Sequence, residues 1–193
     1  MIKYSFILII GALLFSSFNI AENGKVFKVL GKEIGLENIE LKPLSINNEK
    51  ELAQVNKGKF YHLFNNGKAI QNTYVYLGKV NTCRAGGCQI TKMTFEEGAS
   101  EYFEYLILFE NEQVRLVKVL NYAATHGHEI CAKSWLKQFK GYNGDSYLNV
   151  GKNVDAISGA TISVYAITTD VEAKTTILKE YLNDSLNLEV VNR

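Results

Sequence analysis

The chain has 193 residues, 47% of them hydrophobic and 21% charged, with a formal net charge of +1. That is enough apolar material for one globular domain plus an extension, and the scattered lysines leave no basic patch for nucleic acid or an anionic membrane surface. A single proline and the lack of a Ser- or Gly-rich linker argue against a modular layout.

Residues 1–21 read as a signal peptide or an N-terminal membrane anchor. Lys3 is the one early charge, an apolar run of about 15 residues spans Tyr4 to Phe18, and Ala21 offers the small residue of a cleavage site. The run falls short of the ~20 residues that a spanning helix needs, which favours a cleaved signal. Either way the rest of the chain is expected in an extracytoplasmic compartment, the periplasm or cell envelope.

Residues 22–59 form an N-terminal extension of unreadable role. The pattern is irregular from Lys25 to Val55, with a short helix expected around Glu49 to Val55. The main domain is expected over 60–193. Phe60, His62 and Phe64 lead into Asn66-Gly67, a strong tight-turn pair, and alternation resumes from Ile70 to Val80, so a hairpin is predicted. His62 in that pattern is read as structural.

A second hairpin joins Tyr102–Glu110 to Val114–Tyr122 through Asn111-Glu112-Gln113. Strict alternation puts Val114, Leu116, Lys118 and Leu120 on one face and Arg115, Val117 and Val119 on the other, in a sheet covered on at least one side. Glu129 to Phe139 has helical spacing, stopped by Gly141.

After a loop from Tyr142 to Asn153 comes Asp155-Ala156-Ile157-Ser158-Gly159-Ala160-Thr161, and then Val164, Ile167, Val171, Leu178 and Leu182 on one helical stripe. A helix therefore starts near Thr161. Hairpins first and helices last give an α+β fold, an antiparallel sheet packed with helices. The N–H groups of a helix start attract a phosphate, and Gly159 and Ala160 let one approach closely. The plainer reading is an N-cap by Asp155 or Ser158.

The Asp-x-x-Ser-Gly-Ala-Thr run resembles the acceptor motif of the FMN-binding domain family, whose members include covalently flavinylated subunits of membrane redox complexes. The likeness extends from about Thr73 to Leu182. Thr73-Tyr74-Val75-Tyr76-Leu77-Gly78 looks like the family's first strand, Asn121 to Ile130 occupies the place of its glycine-containing flavin-edge loop, and Ser134 to Gly141 matches its Trp-Leu-x-Gln-Phe-x-Gly segment. In the edge loop Ala124 stands for the family's usual glutamate, His126 for its proline and His128 for its leucine. Ser163 replaces a second threonine but keeps the hydroxyl.

The resemblance implies that Thr161 is esterified to the phosphate of FMN by a flavin transferase. Asp155 and Ser158 would serve as recognition groups, and Ser158, Gly159, Ala160, Ile162 and Ser163 would lie about the phosphate. A threonine hydroxyl is too weak a nucleophile to react unaided, so Thr161 is read as another enzyme's substrate. For the isoalloxazine ring the likeness points to Tyr122, Thr125, His126, Gly127 and Glu129. Trp135, Leu136 and Phe139 are expected either as an apolar wall to the ring or as plain core. His126 and His128 have no third ligand in view, so no metal is expected. No Gly-x-Gly-x-x-Gly follows a strand, so there is no nicotinamide site.

The chain is thus expected to be an electron carrier exchanging with membrane redox proteins, rather than a stand-alone enzyme. The competing readings are a non-covalent FMN-binding module and a secreted thiol–disulfide or structural protein on the same fold. Cys83 and Cys88 flank a flexible loop and allow a disulfide in an oxidising compartment. Cys131 is left over after the edge loop, and a dithiol of Cys83 or Cys88 with Cys131 that exchanges electrons with FMN is the sharper alternative.

Overall fold

The computed structural model describes residues 20–46, 58–84 and 100–191. The signal or anchor segment and the helix expected around Glu49 to Val55 lie outside the described residues. Helix α1 (Ile20–Ile34) leads to strand β1 (Ile39–Pro43), and four longer strands follow: β2 (Gly58–Asn65), β3 (Lys68–Arg84), β4 (Ser100–Glu110) and β5 (Gln113–Ala123). A short α-helical turn, α2 (Lys133–Leu136), and the long helix α3 (Thr161–Val191) complete the order. The five strands form one antiparallel sheet in sequence order, β1-β2-β3-β4-β5.

Both expected hairpins form, the first at its Asn66-Gly67 turn; in the second, Gln113, expected in the connection, instead pairs with Glu110 and leaves a two-residue loop. Asn66 and Gly67 both have positive φ, 48° and 75°, the twist that a two-residue hairpin loop requires. Asn111 and Glu112 do the same at 51° and 62°. Glu112 holds this left-handed geometry without being glycine or asparagine, a conformation few side chains adopt.

Strand β4, paired on both sides, explains why the fold has three layers. Phe103, Tyr105, Ile107 and Phe109 are fully buried on one face, and Leu106 and Leu108 are fully buried on the other. A strand buried on both faces reads as an unbroken apolar run and needs cover on both sides. The cover on the first face is α3, through Val164, Ile167, Val171 and Leu178, together with Ile130, Leu136 and Phe139. On the second face it is α1, through Val26 and Leu30, packed on Leu63, Val75 and Leu77.

The irregular pattern read from Lys25 onward conceals most of α1 and the edge strand β1. Helix α1 stops at Gly35, whose φ of 76° and N–H bond to the Gly31 carbonyl (2.8 Å) make a left-handed cap.

Strict alternation along β5 fails at its start. Leu108 pairs with Leu116 but Phe109 with Val114, so Arg115 is the extra residue of a bulge. Val114 thereby joins Val117 and Val119 beneath α3, while Leu116 and Leu120 pack toward α1. Arg115 is held by Glu110 at 2.8 Å and by the Glu33 carbonyl at 2.7 Å, at the C-terminal end of α1.

The helix expected over Glu129 to Phe139 is broken. A 3-10 turn covers His128–Cys131, Ala132 is extended (φ −63°, ψ 124°), α2 makes a single turn, and a second 3-10 turn runs Lys137–Phe139. Three short pieces let Ile130, Leu136 and Phe139 all reach the core, where a straight helix would point one of them away. Gly141, φ 86°, ends the run as expected, and its N–H pairs with the Val114 carbonyl at 2.7 Å, covering the start of β5.

Candidate functional site

Helix α3 begins at Thr161, where the apolar stripe placed it. Its approach is a tight turn: Gly159 has φ 83°, and the Ala160 N–H bonds the Ile157 carbonyl at 3.1 Å. Val164 N–H to the Ala160 carbonyl, 2.9 Å, is the first helical bond. The N–H groups of Thr161, Ile162 and Ser163 stand ahead of that ladder, at the positive end of the helix dipole. A Cβ added at Gly159 would meet nothing within 4 Å. Asp155, Ser158, Gly159, Thr161 and Ile162 are exposed, whereas Ala160 and Ser163 are buried.

This turn is anchored from the Trp-Leu-x-Gln-Phe segment. The indole Nε1–H of Trp135 donates to the Asp155 carbonyl at 2.9 Å, and the Asp155 N–H donates to Gln138 Oε1 at 2.7 Å. Asp155 therefore enters the fold through its backbone, and its carboxylate faces outward. Trp135 packs edge-on against Phe139 at 5.5 Å. Leu136 and Phe139 lie inside the core, 3% and 0% exposed.

The edge loop meets the same helix start from the other side. Tyr122 Oη shares a hydrogen bond with Ser163 Oγ at 2.8 Å and donates to the His126 carbonyl at 2.5 Å. Gly127 is buried at φ 89°, and a Cβ there would fall 2.7 Å from Ser163 Oγ and 2.8 Å from Tyr122 Oη. Glycine is required twice over, by the backbone and by the space.

Tyr122 also stacks on Phe103 at 5.9 Å and meets His128 edge-on at 5.4 Å. Burial raises its hydroxyl above the usual tyrosine range, partly offset by the bond to Ser163. Thr125 donates both its hydroxyl and its N–H to Glu101 Oε1, which holds that carboxylate below its ordinary value. Thr125, His126, His128 and Glu129 are exposed.

Tyr122, Gly127 and Ser163 are thus in mutual contact, and Trp135 meets Asp155. Cys131 is half-buried, and burial raises its thiol, keeping it protonated at neutral pH. The side chain of Cys83 and all of Cys88 lie outside the described residues, as does the loop between them. Among the described residues no cluster of His, Cys, Asp and Glu could hold a metal ion, and no helix is long and apolar enough to cross a membrane.

Sequence reasoning missed a buried polar group beneath α3. Tyr105 Oη donates to Asp170 Oδ2, Lys174 Nζ lies 3.6 Å from Asp170 Oδ1, and that ammonium stands 5.4 Å over the Tyr76 ring. Asp170 and Lys174 are each 4% exposed. Burial first, and the Asp170 charge second, push the Tyr105 hydroxyl far above its usual range. The signal was present as Asp and Lys four apart on the helix, a spacing that ordinarily marks an exposed pair.

The donors, the open glycine and the exposed hydroxyl of the α3 start fit a phosphate group. Neither a comparison with curated proteins nor one with solved structures gave a match. Residues 82–174 match the model of the FMN-binding domain family. That stretch runs from the end of β3 through β4, β5, the edge loop and the Asp155–Thr161 turn into α3, and it spans every contact described above between the edge loop, Trp135 and the α3 start. Over these residues, just under half of the chain, it is similar to an FMN-binding domain.

Proposed function

We propose that the protein is an extracytoplasmic electron-transfer flavoprotein that holds FMN covalently, through a phosphoester on Thr161. One observation carries this reading: Thr161 is exposed at the N-terminus of a 31-residue helix, directly after a glycine turn with open space around it. A phosphodiester there keeps one negative charge, which the N–H groups of the first helical turn and the dipole stabilise by roughly 0.3–1 kcal/mol.

FMN supplies one- and two-electron redox chemistry when bound. The residues of this chain fix its tether. Trp135 and Gln138 hold the backbone of Asp155, and Tyr122 and Gly127 lock Ser163, so the helix start is braced on both flanks. The attaching enzyme would be a flavin transferase, reading the outward side chains of Asp155 and Ser158. The electron donor and acceptor would be membrane redox proteins.

The test is intact mass and in-gel flavin fluorescence of the exported protein, co-expressed with a flavin transferase, beside Thr161→Val. An added mass of FMN less water, lost in the variant, is expected. A non-covalent module would lose its flavin on denaturation, and absence of the adduct beside a flavinylated control protein would overturn the covalent reading.

A further inference from the structure

Large apolar side chains rarely stay exposed without a reason when they cluster. Among the described residues the exposed large hydrophobics are Phe27, Tyr147, Ile162 and Tyr165, and two of these stand in the first turns of α3 directly after Thr161. Ile162 is 42% and Tyr165 53% exposed. Thr161 and Tyr165 are four residues apart on one helical face, about 6 Å along the axis.

The opposite flank of the helix start is already closed. A Cβ on Gly127 would stand only 2.7 Å from Ser163 Oγ, which is bonded to Tyr122, so loop and helix are packed too closely there for a planar ring to pass between them. A ring tethered at Thr161 has its open apolar surface on the Ile162–Tyr165 side. We propose that Tyr165, with Ile162 beside it, is the platform on which the isoalloxazine ring of the FMN lies, the phenol face against the ring face. Offset stacking of two aromatic systems is favourable beyond the area it buries. Tyr165 is a positioning residue: it covers one face of the ring and leaves the other open to a redox partner.

This inference rests on the Thr161 reading, and the experiment separates the two. The flavinylated full chain is prepared as wild type, Tyr165→Ser, Tyr165→Phe and Tyr122→Phe, and intact mass first establishes the adduct on each. A phenol in contact quenches flavin emission, so Tyr165→Ser is expected to raise the emission several-fold and to open the flavin to quenching by iodide. Tyr165→Phe is expected to raise emission while keeping iodide access as in wild type, because its ring still covers the flavin.

Wild-type emission and iodide access in a fully loaded Tyr165→Ser protein would overturn the proposal. A rise confined to Tyr122→Phe would overturn it too, by placing the ring on the edge loop. An adduct missing from wild type would sink the Thr161 reading itself, and the mass spectrum reports that independently of the fluorescence.

Discussion

The indole N–H of Trp135 donates to the backbone carbonyl of Asp155 at 2.9 Å, joining two segments twenty residues apart. With Gln138 taking the Asp155 N–H, the short helical stretch after the edge loop holds both backbone polar groups of the residue that opens the α3 turn.

Trp135→Phe keeps an aromatic ring beside Phe139 but removes the indole donor and part of the buried ring. It is expected to lower stability by at least about 1–2 kcal/mol, the value of a lost hydrogen bond whose acceptor is left partly buried, with the lost packing added to it. Denaturant unfolding measures the loss. Hydrogen exchange is expected to rise over 155–160 more than in the sheet.

Gly127→Ala introduces a methyl group 2.7 Å from Ser163 Oγ at a φ of 89°. A destabilisation of about 1–3 kcal/mol is expected from strain and overpacking together. Adding Ser163→Gly relieves the contact with Ser163 but leaves Tyr122 Oη 2.8 Å from the new methyl group and the backbone strain in place, so the double variant should recover only part of the loss. Full recovery would show that φ at Gly127 carries no strain.

Lys174→Met removes the ammonium 3.6 Å from the buried Asp170 carboxylate. Breaking a buried pair on one side typically costs about 3–5 kcal/mol. The double change Asp170→Asn, Lys174→Met removes both charges and should be milder than the single one, which thermal unfolding of the three proteins can decide.

Tyr105 sets an alkaline limit. Its folded-state hydroxyl lies far above the ordinary value of ~10 because of burial and the Asp170 charge. The group is neutral in both states below that ordinary value, so its full contribution is present there. Above it the unfolded chain ionises first, and stability falls as pH rises toward the folded-state value. Tyrosinate absorbance from Tyr105 is therefore expected only with unfolding, and Tyr105→Phe should flatten this part of the alkaline stability curve.

Glu101 acts in the opposite sense. Its carboxylate is held below the ordinary value first by the Thr125 hydroxyl and then by the Thr125 N–H. That support for the edge loop is present above the ordinary carboxylate range and is lost as pH falls through the lowered value. Amide exchange at Thr125 should accelerate with acid beyond its intrinsic pH dependence, and Glu101→Gln should remove the extra slope.

Local chemistry made the two hairpins, the Gly141 stop and the start of α3 legible. Asn66-Gly67 encodes its own turn, and the stripe from Val164 to Leu178 encodes its own face. Other features are set by contacts distant in sequence. At the bulge Arg115 bonds the carbonyl of Glu33, 82 residues away, and nothing in the local alternation marks it. Helix α1 buries only Val26 and Leu30 among the residues with described side chains, and Gly24 and Gly31 interrupt its pattern.

In the candidate site, the motif residues and the edge loop were readable as separate pieces. Their junctions, Tyr122 with Ser163 and Trp135 with Asp155, are side-chain to side-chain or side-chain to backbone bonds that no spacing encodes. The charge pair beneath α3 was unreadable because burial, not spacing, distinguishes it from a surface pair.

Because Asp155 is gripped only by its main-chain groups, the identity of its side chain is immaterial to the grip. The turn leading to Thr161 thus separates shape from lettering: the contour is dictated from behind by Trp135 and Gln138, and the outward characters at 155, 156 and 158 can vary without deforming it. A macromolecule that reads this strip meets a surface already in its final form, and little chain entropy has to be surrendered on contact.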